Sequence, residues 1–310
     1  MIDGHESSGS SEATTSKAGP LVSVVIPTHE RAQLLKRAIQ SVLAQSYSRL
    51  DIIVVDDASR DNTREVVEQF RDSRIRYIRH QTNKGGSAAR NTGVRAVTGE
   101  YVAFLDDDDE WLPQKTERQL KTLEEYDAVL CSSDAASASN AKRHATETVR
   151  LDDLRKSPFA IGGTGVLMAR AYVMREIMFD ESLPRCQDWD LFIRIAKKYR
   201  IGYLNERLLR YNEGRHDRIS NALVRLPIDE LLKRIVMLDK HIDFFGPRLY
   251  KRHLSGMLLY GIRHRSDKMQ HLIYTLRRCG LVATIGALNE RIYQVLVELW
   301  NRVGIWFRRK

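Results

Sequence analysis

Three short apolar runs, each closing on polar or acidic residues, constrain this 310-residue chain more than any other feature. Leu21 to Pro27 (LVSVVIP), Leu50 to Val55 (LDIIVV) and Tyr101 to Leu105 (YVAFL) are rich in β-branched and aromatic residues. They are too short for buried helices and lack the alternation of strands with one wet face. They predict strands covered on both faces, as in a parallel sheet. Helical periodicity occupies the gaps. His29 to Ser46 sets Leu34, Leu35, Ala38, Ile39, Val42 and Leu43 on one side, Asp61 to Phe70 turns Val66, Val67 and Phe70 inward, and Ser87 to Val97 also reads as a helix. With Ile75 to Arg79 as a further short strand, the alternation predicts a mainly parallel α/β sheet with helices on both faces.

Sheets of this kind bind ligands beyond the carboxyl ends of their strands. Pro27, Thr28, His29 and Glu30 follow the first run, Asp56 and Asp57 the second, and Asp106 to Asp109 with Glu110 the run YVAFL. Consecutive carboxylates repel one another when ionised. A solvated acidic loop tolerates that repulsion; on a ligand-binding rim, a divalent cation relieves it. Hard oxygen donors suit Mg²⁺ or Mn²⁺, which takes one or two protein carboxylates and completes its shell with water and substrate phosphates. By itself the run also fits a phosphatase or a receiver-like domain.

After Leu112 the periodicity predicts a helix over Pro113 to Glu125, a strand over Ala128 to Ser132 and a polar loop over Ser137 to Thr148. A glycine turn then enters a strand within Gly162 to Ala169, a helix spans Asp188 to Tyr199, and Ile201 to Leu204 and Leu208 to Tyr211 form two short strands. No internal repeat is present. The expected organisation is a disordered leader over 1–20, a catalytic domain over 21–221 and a basic helical tail over 222–310.

Charge is distributed unevenly. Residues 225 to 310 hold 17 Lys and Arg against 7 Asp and Glu, so the whole excess of +10 lies there. A basic tail implies an anionic partner. No reading module for nucleic acid is recognisable, so none is expected as a partner. Glu290 to Lys310 carries an apolar stripe (Ile292, Val295, Leu296, Leu299, Val303, Trp306) with Arg308, Arg309 and Lys310 at its end. That pattern fits either a helix packed on the domain or contact with an anionic membrane surface. Cys131, Cys186 and Cys279 are widely spaced, which suggests neither a zinc site nor a disulfide framework and fits a reducing compartment. No signal-peptide pattern or run of about 18 apolar residues appears. The expected location is cytoplasmic, peripheral at the inner face of the membrane.

Four segments together resemble the family 2 glycosyltransferases, whose fold is GT-A. They are VSVVIPTHER (Val22 to Arg31), IIVVDDASRDNT (Ile52 to Thr63), NKGGSAARNTGVRAVTGEYVAFLDDDDEWLP (Asn83 to Pro113) and CQDWDLFIRIA (Cys186 to Ala196). The resemblance covers residues 21 to 221. It implies a GT-A, Rossmann-like sheet and an inverting transfer from a nucleotide-sugar donor, UDP-sugar by preference, to a saccharide or lipid-linked saccharide acceptor. It also implies a divalent metal, Mn²⁺ or Mg²⁺.

The resemblance also implies roles by position. Pro27, Thr28 and Glu30 match the loop around the nucleobase and ribose, and Asp57 the carboxylate that meets the uracil ring. Lys84, Gly85 and Arg90 fall in the segment that approaches the nucleotide, although Arg90 reads equally as a structural ion pair. Asp106 and Asp108 match the outer residues of the DXD motif, with Asp108 on the metal. Asp107 lies between them in the nucleotide-sugar segment, with its side chain expected to face elsewhere. Asp188 matches the general base, with Gln187 where the family more often has Glu; capping its helix is the competing role. Gly162, Gly163 and Thr164 match the acceptor-side loop. Trp189 walls the acceptor pocket or packs in the core. His216, in the loop Arg210 to Asn221, is a metal ligand, a phosphate contact or a plain surface residue. A nucleotidyltransferase and a catalytically silent nucleotide-sugar-binding scaffold are the rival readings.

Overall fold

The computed structural model describes residues 19–125, 130–135, 148–149, 151–156, 162–212, 226–260, 262 and 265–289. Residues 1–18 of the expected leader, His216 with the rest of its loop from 213 onward, and Glu290 to Lys310 lie outside these residues.

The β-branched runs form strands where periodicity placed them: β1 (Val22–Thr28), β2 (Leu50–Asp56), β3 (Ile75–Arg79) and β4 (Tyr101–Phe104). Every residue of β1 and β4 is buried, which explains the unbroken apolar runs. These four strands pair in parallel in the order β3-β2-β1-β4. Helices α1 (Ala32–Leu43), α2 (Thr63–Glu68) and α3 (Gly86–Ala96) make the crossovers. Gly93 is what lets α3 lie close to β1: a Cβ there would meet Val25 Cγ1 at 2.3 Å.

The second half of the sheet is mixed. The short β5 (Glu110–Trp111) and α4 (Lys115–Glu125) follow the acidic run. Then come β6 (Leu130–Ala135), β7 (Thr148–Val149), α5 (Leu151–Lys156), a 3₁₀ turn (Thr164–Val166), β8 (Met168–Arg170), α6 (Ala171–Ile177), α7 (Gln187–Ala196) and β9 (Ile201–Arg210). The sheet continues β4-β8-β6-β9-β5, with β7 also on β9; β8 runs antiparallel to both β4 and β6. The two short strands expected after Ile201 are one ten-residue strand. Its polar middle pairs outward, with Glu206 bound by Arg118, and its register against β6 shifts at that place.

The basic region forms α8 (Ile228–Arg234), α9 (Val236–Lys240), α10 (Ile242–Leu258) and α11 (Lys268–Cys279), followed by a helical stretch over 281–289. It docks on the sheet-bearing part of the chain through a shared core in which Leu183, Trp189 and Ile193 pack with Leu238, Phe245 and Leu254. Beside that core, the fully buried Asp190 accepts from Arg194 (2.8 Å), His241 (2.8 Å) and Lys240 (2.7 Å). Burial acts to raise the pKa of Asp190, but these partners outweigh it and hold the carboxyl down at about 2. A depressed carboxyl stabilises the fold above its unfolded value near 3.8 and loses that contribution as pH falls toward 2. Asp190→Asn is therefore expected to cost roughly 2–4 kcal/mol at pH 7, since it removes the fully buried charge that Arg194, Lys240 and His241 share. Urea unfolding should show the gap to wild type closing below about pH 4; a gap independent of pH would contradict the assignment.

Candidate active site

The carboxyl ends of β1, β2 and β4 open into one cleft of about 460 Å³, lined among others by Pro27, Thr28, Asp57, Gly85, Arg90 and Asp106 to Asp109. The sheet brings them together because β1 lies between β2 and β4 in register, with Thr28 beside Asp56.

The two acidic residues after β2 divide their work. Asp56 shapes the turn: its Oδ1 accepts the Ser59 N–H at 2.8 Å and its Oδ2 accepts from Tyr77 Oη at 2.5 Å. Asp57 faces the cleft and organises the loop before α3, accepting the N–H groups of Lys84 (2.9 Å) and Gly85 (2.7 Å) and pairing with His80 Nδ1 (2.7 Å). The other ring nitrogen of His80 meets Thr92 Oγ1 at 2.9 Å. Gly85 sits at φ +88, where a side chain would be strained. Lys84 thus joins the site through its backbone. Glu30 does not line the cleft: it is exposed at φ 55, and its Oε1 accepts the Arg60 N–H at 2.9 Å, tying the β1 loop to the β2 loop.

The acidic run is a turn, closed by the Asp109 N–H donating to the Asp106 carbonyl at 3.1 Å, instead of the extended stretch expected. Asp107 turns inward, is 5% exposed, and accepts from Thr28 Oγ1 (2.8 Å) and Arg31 (3.1 Å). Burial pushes it up to about 6 despite Arg31. Asp108 lies 3.4 Å from the same arginine. Asp109 is buried and accepts the Asn212 N–H at 3.2 Å, while Asn212 Nδ2 donates to the Asp108 carbonyl at 3.0 Å. Asp106 stays partly open, with Arg90 at 2.6 Å and Thr164 Oγ1 at 3.1 Å. Arg90 therefore both pairs with Asp106 and lines the cleft.

Thr164 carries the rim across to the helix bearing Asp188. Its neighbour Gly163 stands so close to that helix that a Cβ there would lie 3.8 Å from Asp188 Oδ2. Asp188 is not the helix cap; Cys186, in the left-handed region at φ 54, precedes α7, and Asp188 falls in its first turn. The pKa of Asp188 is raised, chiefly by burial. The Trp189 N–H and Arg90 oppose that shift, and Asp106 adds to it. Asp106, Arg90 and Asp188 thus share one electrostatic environment.

Trp189 does not wall a pocket. It is 4% exposed, with its ring 5.3 Å from that of Phe245 and 5.4 Å from that of His253. Asp188 itself is not among the residues lining the cleft, and its neighbour Trp189 turns into the seam with the basic helices.

Among the described residues no three His, Cys, Asp or Glu side chains converge to hold a metal ion. The donor set near the cleft is Asp108 with Asp106, hard oxygens in a group of four aspartates that Arg31 and Arg90 only partly neutralise. That set fits an Mg²⁺ or Mn²⁺ ion that draws its other ligands from water and substrate phosphates.

A parallel half-sheet whose central strand ends in acids, continued by a mixed half that supplies the facing rim, is the GT-A fold. The family model for glycosyl transferase family 2 matches residues 23–195, and the chain belongs to that family and is a glycosyltransferase. It is similar to the putative colanic acid biosynthesis glycosyl transferase WcaA of Escherichia coli K12, 34% identical over 59% of this chain and 68% of WcaA. It is also similar to E. coli WfgD, a UDP-Glc:alpha-D-GlcNAc-diphosphoundecaprenol beta-1,3-glucosyltransferase, 40% identical over 33% of this chain. The matched part spans 41% of WfgD's own length. Among solved structures, the mannosyltransferase PcManGT from Pyrobaculum calidifontis in complex with GDP-Man and Mn²⁺ superposes with a TM-score of 0.60. That match covers 89% of this chain and 81% of PcManGT at 17% identity, a likeness of fold.

Proposed function

We propose that this glycosyltransferase moves a sugar from a nucleoside diphosphate, UDP by preference, to a hydroxyl of a saccharide or lipid-linked saccharide, with inversion at the anomeric carbon. The product fits cell-surface polysaccharide or glycolipid synthesis, in keeping with the names of WcaA and WfgD. One observation carries the reading: Thr164 sits on Asp106 at 3.1 Å while the adjacent Gly163 borders Asp188, so donor-side acids and base share a rim.

The residues divide the work as follows. Asp57 and the Lys84–Gly85 loop it orders receive the nucleoside. Asp108, with Asp106, would hold a divalent ion, which would supply positive charge to offset that of the departing diphosphate. Arg31 and Arg90 add fixed positive charge at the same place. Asp188 accepts the proton of the acceptor hydroxyl as that oxygen attacks the anomeric carbon from the face opposite the leaving group. A single displacement needs no covalent nucleophile. A lipid-linked acceptor would also give the basic helical region reason to rest at the inner face of the membrane.

Asp188 works ionised, and its surroundings hold its pKa above 3.8. The acid limb of kcat/KM, which reports the free enzyme, is therefore expected to lie above the ordinary aspartate value, with activity lost as pH falls through it. A profile flat down to pH 4, in a protein still folded by circular dichroism, would remove Asp188 from the role. The overall reading is tested by nucleoside-diphosphate release from a panel of donors, with Mn²⁺ or Mg²⁺ and with chelator. Release from a UDP-sugar that needs both metal and acceptor supports it. Donor binding without turnover under any condition would favour the silent scaffold.

A further inference from the structure

Across residues 268–289 there is no Asp or Glu, while Lys268, Arg277 and Arg278 are present and exposed. The three most exposed large apolar side chains among the described residues also fall here: Val282 (87%), Met269 (65%) and Leu281 (64%). Ile273 and Ile285 add to them. Neither helix is exposed by chance packing. Helix α11 buries His271, Thr275 and Cys279 at every fourth position, and His271 Nδ1 meets the Leu258 carbonyl of α10 at 3.0 Å. The stretch 281–289 buries Thr284 and Ala287, and Ser255 of α10 donates to the Ala283 carbonyl at 3.0 Å. Both helices therefore lie in one layer over α10 and turn their opposite faces away from the protein. On α11 that face reads Met269, Ile273, Arg277 at i, i+4, i+8; on the next helix it reads Leu281, Val282, Ile285.

We propose that this layer, residues 268–289, is the surface by which the enzyme rests on an anionic lipid leaflet. The proposal deepens the membrane contact of the functional reading above and locates it inward of Glu290. Isolated exposed apolar residues need no partner, but a contiguous set marks an interaction surface. Its chemistry selects the occupant. An apolar face with Lys268 and Arg277 beside it and no acid of its own between Asp267 and Glu290 matches acyl chains beneath negatively charged headgroups, while Arg278 lies toward Asp239 and Asp243 of the neighbouring helices. No helix among the described residues is long and apolar enough to cross a membrane, so the contact is interfacial. The basic excess of residues 225–310 gives the face a long-range attraction to the same surface.

The full chain is mixed with vesicles of neutral phosphatidylcholine, with and without phosphatidylglycerol, and partitioning is read by co-sedimentation. Binding is expected only with the anionic lipid and is expected to fall with salt. Leu281→Glu/Val282→Glu should lower partitioning at least tenfold, and Arg277→Gln/Arg278→Gln about fivefold per arginine removed. Both variants change only exposed side chains, so circular dichroism and UDP-sugar binding in solution should match wild type. Unchanged partitioning in both variants overturns the proposal. So does wild-type protein that ignores anionic vesicles, or that buries this face in a concentration-dependent dimer by light scattering. None of these results touches the donor-release assay, so loss of this proposal and loss of the functional reading are separable.

Discussion

Asp188→Asn is expected to lower kcat by roughly 10²–10⁴ with donor affinity unchanged. The side chain keeps its size and can still accept the Trp189 N–H, which lies 2.8 Å from Asp188 Oδ1. What is lost is the capacity to take a proton. Because burial already opposes the charge on Asp188, an amide there should not disturb folding, so thermal stability should stay at or above that of wild type near neutral pH. Comparing kcat with the dissociation constant for the donor separates this role from a structural one: a purely structural residue would weaken both together. Turnover of the variant within a few-fold of wild type would exclude Asp188 as the base.

Asp108→Ala should act on the other side of the cleft and at an earlier step. Its expected effect is a loss of metal-dependent donor affinity of about 100-fold or more, with turnover falling in step. Asp108 pairs with Arg31 alongside Asp107, so truncation leaves that arginine with its stronger partner and should cost little stability. Calorimetry with UDP is the direct measurement, with Mn²⁺ and then with chelator. Wild type should lose affinity on chelation; the variant should bind weakly in both conditions. Equal metal enhancement in the two proteins would place the ion elsewhere.

How much of this was legible in the sequence follows from burial. Strands β1, β2 and β4 were readable because both faces are covered, which forces unbroken apolar runs. The rim was readable because those runs end in acids. Strand direction in the second half was not readable, since nothing in Met168 to Arg170 marks an antiparallel neighbour. The polar centre of β9 suggested two strands because Asn205, Glu206 and Arg207 resemble a loop; they are the outward residues of one strand at a register shift. Helix α2 starts at Thr63 instead of Asp61 because Asp61 is spent on the N–H of Ala32 at 3.1 Å and that of Thr63 at 3.2 Å.

Within the site, the carboxylates announced themselves and their supports did not. Arg31 sits inside a segment recognised for its loop, yet only the fold shows it reaching Asp107 and Asp108. His80 and Tyr77 gave no signal beyond lying near the end of a short strand, and they fix Asp57 and Asp56 from the side. Trp189 shows the limit of reading by adjacency: the residue next to Asp188 belongs to the core, because a helix turns neighbouring side chains about 100° apart. Asp190 and Arg194 stand four apart on one helix face and pair there, but the arrival of Lys240 and His241 from the basic region depends on tertiary packing.

The most direct measurement is a crystal structure with UDP and Mn²⁺, with the ion located by its anomalous scattering. The peak is expected at the carboxylate of Asp108, touching the diphosphate, with the uracil toward Asp57 and the open end of the diphosphate facing Asp188. An ion bound away from Asp108, or a diphosphate whose free end points away from Asp188, would contradict the account.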